Sequence, residues 1–270
     1  MLVWTYSLYP YTLLYSILLS LQIMNIPRKP RLYYLHPLNI GQIISLEPQA
    51  AQHITRVLRM QVGEEVILFN NLGGEYTGII KEIKKKTDIE VCEYHERNSE
   101  SPLQLHLGQS LVRSDRMDFI IQKATELGVH HITPLVTMRS MIKLDKKQLE
   151  KKIQHWSNIM ISAAQQCGRT HLPTLNLPMP FQQFVSTPFM GANIAFDLSA
   201  TASLKSITPN PSAIRVLIGP ESGFDESEMT FMTTHKFELY TLGPRVLRTE
   251  TASIAALCSL QLLYGDLSLG

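Results

Sequence analysis

The sequence predicts an α/β chain in two parts, a small N-terminal β-barrel followed by a larger domain built on a parallel sheet. Three observations lead there. Between residues 103 and 136 a strand, a helix and a strand follow one another. Two stretches near the C-terminus, Ile218-Gly-Pro-Glu-Ser-Gly223 and Leu242-Gly-Pro-Arg-Val-Leu-Arg-Thr-Glu-Thr-Ala252, each follow an apolar run and precede a helical pattern. Such turns lie at the carboxyl edge of parallel sheets, where α/β proteins bind ligands. From residue 24 to about 96, by contrast, short strands alternate with glycine-marked turns.

The 270 residues suit one large or two ordinary domains, and 44% hydrophobic with 18% charged residues is the balance of a globular protein with a sizeable core. A net charge of +2 argues against nonspecific polyanion binding by the whole surface, so any nucleic-acid contact has to come from local patches. Cys92, Cys167 and Cys258 are few, odd in number and far apart, without metal-type pairing. They point to a reducing cytoplasm, with Cys167 and Cys258 as small packing residues.

Residues 1–23 carry no charge and include a Leu/Ile-rich run over 13–23. A basic leader and a small-residue cleavage site are missing, Pro10 interrupts the stretch, and the run is short for a membrane span. The expectation is a non-native or disordered extension, with Met24 as the natural start. Residues 24–97 form the expected first domain. Gly63, Gly73, Gly74 and Gly78 punctuate runs such as Val66-Ile-Leu-Phe69, and Lys84 to Lys86 mark an exposed turn before Ile89-Glu-Val-Cys92. Arg28, Lys29 and Arg31 precede the first acidic residue, Glu47. His53, Arg56 and Arg59 are spaced by three on an expected helix and so share a face that can grip phosphates.

Arg97-Asn-Ser-Glu-Ser-Pro102 is polar and turn-prone, the best linker, and 98–270 form the expected second domain. Its first strand is Leu103-Gln-Leu-His-Leu-Gly-Gln109. A helix over 116–127 turns Met117, Ile120, Ile121, Ala124 and Leu127 inward, and Ile132 to Val136 is the next strand. Within 143–169 a long helix buries Leu149, Ile153, Trp156, Ile159, Met160 and Ala163, and Gly168 helps to end it beside Arg169. Ala195-Phe-Asp197 ends a further strand, which places Asp197 at the cleft, while Asn193 caps or turns its start. Asp225 with Glu228 makes a capping box for a helix over 226–234. A last helix runs from Ser253 with Ile254, Leu257, Cys258 and Leu262 as its buried face.

The two glycine-proline loops together resemble the signature of the bacterial 16S ribosomal RNA uridine N3-methyltransferases, the RsmE family of the trefoil-knotted (SPOUT) superfamily, whose loops read close to LIGPEGG and LGPRVLRTETA. The resemblance continues through His53-Ile-Thr-Arg-Val-Leu-Arg-Met60, Leu107-Gly-Gln-Ser110, Asp118 to Val129 and Gln166-Cys-Gly-Arg169, and covers about 24–265. Ser222 stands where the family has a second glycine, Met138 replaces a glutamate before Arg139-Ser140, and Gln165 replaces one before Gln166. The resemblance implies a trefoil-knotted methyltransferase domain behind a PUA-like RNA-binding domain. It implies S-adenosyl-L-methionine as cofactor, 16S rRNA in the small ribosomal subunit as partner, and a homodimer without metal or membrane.

Methyl transfer needs little covalent machinery. Donor and acceptor must be held in line, and water kept out. Leu217, Ile218, Gly219, Pro220, Glu221 and Gly223 from the first loop, with Leu242, Gly243, Val246, Leu247, Arg248, Thr251 and Ala252 from the second, are the expected cofactor residues: glycines allow close backbone approach, and apolar side chains supply walls. Uridine N3 attacks well only after losing its proton, so a base or a stabilising cation is required. Arg248 is the candidate that stabilises the anion or a neighbouring carbonyl, with Glu250 orienting it. Glu250 is the weaker candidate for the base, because a carboxylate paired with arginine accepts protons poorly. Expected RNA contacts are Arg28, Arg31, His53, Arg56, Arg59 and Arg169.

Two other classes compete. A non-catalytic RNA-binding or ribosome-assembly factor has no need of an intact loop pair. A dinucleotide- or nucleotide-using enzyme needs a G-x-G-x-x-G or G-x-x-x-x-G-K-[ST] turn after a strand, and neither occurs. Within the methyltransferases, another RNA position remains the competitor.

Overall fold

The computed structural model describes residues 29–84, 86–140, 146–207 and 211–268. Arg28 and the expected extension over 1–23 lie outside the described residues. Arg31–Gly270 groups as one compact body.

Its first part is a five-stranded sheet. Strands β1 (Arg31–Tyr33), β2 (Ile43–Ser45), β3 (Glu65–Phe69), β4 (Glu75–Ile83) and β5 (Thr87–His95) pair in the order β1-β3-β4-β5-β2. β1 runs parallel to β3, and the other pairs are antiparallel. Among the described residues no pairing of β1 with β2 closes the sheet into a full barrel. Alternate residues of these strands, Leu32, Ile44, Val66, Leu68, Ile80, Ile89 and Val91, form one apolar cluster, and Ile54 plugs it from a short helical segment.

That segment departs from the expected regular helix. Helix α1 (Pro48–Gln52) passes into a π-helical turn over His53–Val57, closed by the Leu58 N–H donating to the His53 carbonyl at 3.0 Å. Arg59 then takes a left-handed backbone, φ 54°. His53, Arg56 and Arg59 are all exposed but do not share one helix face, because the turn is wider than 3.6 residues and Arg59 lies beyond it.

The second part is a seven-stranded sheet, with every pair parallel. β6 (Gln104–Ser110), β7 (His131–Val136), β8 (Thr174–Leu175), β10 (Ala192–Phe196), β11 (Ala213–Ile218) and β12 (Glu238–Tyr240) run in the order β12-β10-β11-β6-β7-β8, and β9 (Met179–Pro180) also pairs with β7. Helices α2 (Ser114–Glu126), α3 (Lys146–Cys167) and α6 (Thr249–Tyr264) contribute to the larger core. Met117, Ile120, Ile121, Trp156, Met160, Ala256, Leu257 and Leu260 meet Ile132, Ile194, Ile214, Val216 and Ile218 there. Helices α4 (Phe181–Ser186) and α5 (Glu226–Thr234) contribute to a second core, where Phe181, Phe184 and Met232 pack with Leu135, Ala195 and Leu217. The period-two alternation of each strand assigns its residues to one core or the other.

Helix ends follow the sequence. α5 begins with the capping box: Asp225 accepts from Ser227 N–H at 3.1 Å and the Glu228 carboxylate accepts from Asp225 N–H at 2.9 Å. α3 stops at Gly168, whose φ of +87° an L side chain resists. The buried face of α6 differs from the expected one. It consists of Thr249, Ser253, Ala256, Leu257, Leu260 and Gln261, whereas Cys258 and Leu262 are exposed. Polar Ser253 and Gln261 are buried because each finds a partner: Ser253 Oγ donates to Gln109 Oε1 at 2.6 Å, and Gln261 Nε2 donates to the Leu127 carbonyl at 2.8 Å. Cys167 is exposed as well, so neither it nor Cys258 is the packing residue expected.

Two expected RNA contacts are structural instead. Arg169 is 4% exposed: its Nε and Nη2 pair with Glu100, and its Nη1 donates to the Thr125 and Val129 carbonyls at 2.9 Å each. A guanidinium so enclosed has no face for a phosphate. Arg31, with only 11% of its side chain exposed, pairs with Glu75, lies over the Phe69 ring and donates to the Arg169 carbonyl at 3.0 Å. Burial pushes the Glu75 carboxyl up, but hydrogen bonding and charge from Arg31, joined by Arg97, outweigh this and hold it below its usual range. The expected linker is correspondingly fixed: Glu100 also accepts from Thr170 and His171 N–H at 3.2 Å, and Ser101 Oγ donates to Gln261 Oε1 at 2.7 Å.

Near the amino end of β11, Arg215 is 3% exposed. Its Nε donates to Asn193 Oδ1 at 2.8 Å, its Nη1 donates to the Phe184 and Thr187 carbonyls, and the rings of Phe184, Phe189 and Phe237 stand 5.0–5.1 Å from it. Burial lowers its pKa to about 10. Beside it His106 is driven to about 3, first by burial and then by the charges of His131 and Arg215.

Candidate active site

A cleft opens outside the carboxyl ends of β10, β11 and β12, the edge where parallel sheets present their ligand sites. Three turns build it. The end of β10 supplies Phe196, Asp197 and Leu198. The turn after β11 supplies Ile218, Gly219, Pro220, Glu221, Gly223 and Phe224. The turn after β12 supplies Thr241, Leu242, Gly243, Arg245, Val246 and Leu247, and Thr249 and Ala252 of α6 complete the wall. Gly223 (φ +71°) and Gly243 (φ +95°) adopt backbones reserved for glycine, and a Cβ added to either meets open space. Ser222, in the family's glycine position, is not among the residues with positive φ, so the turn accepts a serine without strain.

The walls are tied together by a chain of polar contacts. Thr249 Oγ1 donates to the Gly219 carbonyl at 2.8 Å and accepts from Gln109 Nε2 at 3.2 Å, while Gln109 Oε1 takes the Ser253 hydroxyl. Because Gln109 sits at the end of β6, the sheet itself sets the position of the α6 N-terminus. The first turn is held from its other side by Arg139, which donates to the Ser222 carbonyl at 2.9 Å and pairs with Asp225 at 3.4 Å. The backbone N–H of Met138 donates to Glu228 Oε1 at 2.9 Å, which gives buried Glu228 a second partner.

Most of the expected cofactor residues line this cleft: Ile218, Gly219, Pro220, Glu221, Gly223, Leu242, Gly243, Val246, Leu247 and Ala252. Three do not. Leu217 is fully buried in the second core, because strand alternation turns it away from Ile218. Arg248 and Thr251 are exposed at the start of α6, outside the lining set. Arg248 is the N-cap of α6, and among the described residues its guanidinium has no hydrogen bond or ion pair. Glu250 is not its partner. Instead Glu250 Oε2 lies 3.8 Å from the Nε of Arg116 on α2, while Arg116 Nη1 reaches Glu221 Oε1 at 2.5 Å. Sequence reasoning missed Phe196, Leu198, Phe224, Thr241, Arg245 and Thr249 as lining residues, and Arg116 altogether. A basic residue in the first turn of a helix, where the macrodipole favours acids, was the available signal for Arg116.

The residues present fit S-adenosyl-L-methionine. Leu198, Ile218, Phe224, Leu242, Val246 and Leu247 give an apolar slot for adenine, the glycines allow close backbone approach, and Asp197, whose Oδ1 accepts from Ser199 N–H at 2.8 Å, adds a carboxylate to the lining. Among the described residues no group of three or more His, Cys, Asp and Glu is placed to hold a metal ion.

Comparison with known proteins agrees with this geometry. The sequence model of an RNA methyltransferase domain matches residues 99–261, and that of an RNA methyltransferase PUA domain matches 46–91. The molecule is thus an RNA methyltransferase, with a PUA-like domain ahead of a parallel-sheet α/β domain. A ribosomal RNA small subunit methyltransferase E of Buchnera aphidicola (from Schizaphis graminum) is 37% identical over 89% of this chain and 99% of its own, and that of Bacillus subtilis is 33% identical over 82% and 92%. Among solved structures, a Legionella pneumophila protein described as a methyltransferase with bound SAM superposes with a TM-score of 0.87 at 40% identity, covering 89% of this chain and all of that one. The Neisseria gonorrhoeae ribosomal RNA small subunit methyltransferase E bound to S-adenosyl methionine gives 0.83 at 32%, with the same coverage. The chain belongs to the ribosomal RNA small subunit methyltransferase E family.

Proposed function

We propose that this protein transfers a methyl group from S-adenosyl-L-methionine to N3 of a specific uridine in 16S ribosomal RNA, acting in the cytoplasm on the small ribosomal subunit. The observation that carries the proposal is the cleft itself. Two glycine-proline turns face each other outside the carboxyl edge of a parallel sheet, and an arginine that is unpaired among the described residues stands at the adjoining helix N-terminus.

When bound, the cofactor supplies an electrophilic methyl on a sulfonium. The chain's own residues do the rest. Ile218, Phe224, Leu242 and Leu247 exclude water and hold an adenine-sized ring, and Asp197 accepts from ribose hydroxyls. Arg248 faces the incoming base. Free of partners among the described residues, it lends its charge to the uridine ring as N3 loses its proton, and the positive end of the α6 dipole adds to that field. Glu250, held by Arg116, keeps its place without competing for Arg248. The exposed His53, Arg56 and Arg59 around the π-turn give the first domain its phosphate contacts, outside Arg31 and Arg169. The domain boundaries 24–97 and 98–270 belong to the same reading. So does a homodimer, which would cover the exposed Leu262 and Leu263 of α6.

The test is a methylation map of 16S rRNA from cells lacking the protein, complemented with wild type or Arg248→Ala. Loss of one N3-methyluridine, restored by wild type alone, supports enzyme and site together. An unchanged map defeats the substrate, and absence of S-adenosyl-L-methionine binding by calorimetry defeats the enzyme class.

A further inference from the structure

Arg116 projects from the first turn of α2 and touches both walls of the cleft. Its Nη1 binds Glu221 of the turn after β11, and its Nε faces Glu250 of α6. Glu250 Oε2 is shielded from solvent and has no hydrogen-bond partner among the described residues, where Arg116 is the cation 3.8 Å away that compensates it. Glu221 lines the cleft, and Glu250 stands two residues beyond Arg248. One side chain therefore joins the turn that would hold the cofactor to the helix start that carries the candidate catalytic arginine. A guanidinium suits this task because its rigid planar fork holds separate donors in fixed directions toward two carboxylates, whereas the three donors of an ammonium radiate from one atom on a flexible stem.

We propose that Arg116 is a positioning residue that fixes the spacing of the two turns, so that cofactor affinity and the placement of Arg248 depend on each other. The proposal rests on the reading of the cleft as the S-adenosyl-L-methionine site. Arg116→Gln should weaken cofactor binding and slow single-turnover methylation, each by about tenfold, and should lower the melting temperature, because it leaves the shielded Glu250 carboxylate without its cation; adding Glu250→Gln should restore the melting temperature but neither affinity nor rate. Arg116→Lys should recover part of the affinity and little of the rate.

The decisive experiment is a cycle of Glu221→Gln and Glu250→Gln, singly and together, with and without Arg116→Gln, read by calorimetry with S-adenosyl-L-methionine and by single-turnover transfer to small-subunit RNA. With Arg116 present, the double substitution should cost less than the product of the single effects; in the Arg116→Gln background the effects should multiply. Wild type that binds and transfers normally, while Arg116→Gln stays within twofold of it and the glutamate effects multiply in both backgrounds, would overturn the coupling and leave the cleft reading standing. Wild type that binds no cofactor would overturn both.

Discussion

At the amino end of β11, Arg215 has its Nε and Nη1 on three acceptors and three aromatic rings around it; at the carboxyl side, Arg245 and Arg248 have no ionic or hydrogen-bonded partner among the described residues. Both edges belong to one sheet and both carry guanidinium groups beside apolar side chains. They differ in what compensates the charge. Near Arg215 the protein does so itself, with fixed dipoles and ring faces, and the result is a rigid buried joint. Near Arg248 compensation is left to an incoming molecule. A cation that the fold does not satisfy is available for chemistry, and one that it satisfies is architecture.

Substitutions at the two edges should separate these roles. The largest effect is expected from Arg248→Ala: roughly 10²–10³-fold loss in the methyl-transfer rate constant, with cofactor affinity measured by calorimetry nearly unchanged. Equal loss of binding and rate would place Arg248 in the cofactor site and blur the contrast. Arg215→Met should do the reverse, costing about 3 kcal/mol in urea unfolding as three acceptors lose their donor, while single-turnover transfer by the folded fraction survives.

Acidification probes the amino edge further. The folded pKa of His106 is about 3 against an ordinary value of 6.5, so the unfolded chain takes up its proton first. Stability is full above pH 6.5 and falls as pH drops toward 3, by about 2 kcal/mol between pH 7 and 5 from this one group. His106→Gln, which keeps a partner for Thr133, should flatten that slope in denaturant titrations at the two pH values. The smallest effect is expected at Gly243. An alanine Cβ there meets nothing, so only the positive φ resists it, and Gly243→Ala should lower stability by about 1 kcal/mol. A much larger loss in thermal unfolding would mean that the turn is packed more tightly than its open surroundings indicate.

Where local chemistry determined the structure, the sequence was readable. Asp225 and Glu228 announced their capping box, Gly168 the end of α3, and the order of strands and helices the parallel sheet. The two glycine-proline loops gave most of the cleft for the same reason, since backbone freedom is written in residue type. Strand alternation, properly applied, would also have removed Leu217, which faces away from Ile218. The remainder depended on partners far off in sequence. Arg169 and Arg31 looked like surface cations until Glu100 and Glu75 were seen to enclose them, and Glu250 looked like the mate of Arg248 until Arg116 arrived from α2. The face of α6 was misjudged because Ser253 and Gln261 are buried by hydrogen bonds that an apolar count does not detect. The π-turn over His53–Val57 has no residue signature that distinguishes it from an ordinary helix.

The clasp of Glu100 around Arg169, with Arg31 reaching the Arg169 carbonyl, bears on how a single nucleotide is chosen. A flexible tether would let the RNA-gripping lobe wander and deliver many bases to the cleft. Here hydrogen bonds and an ion pair fasten the two lobes at that junction. On the proposed reading, in which the first lobe grips RNA and the cleft receives the base, the molecule would work as a caliper: the nucleotide selected would be the one whose span along the folded RNA equals the gap between its jaws.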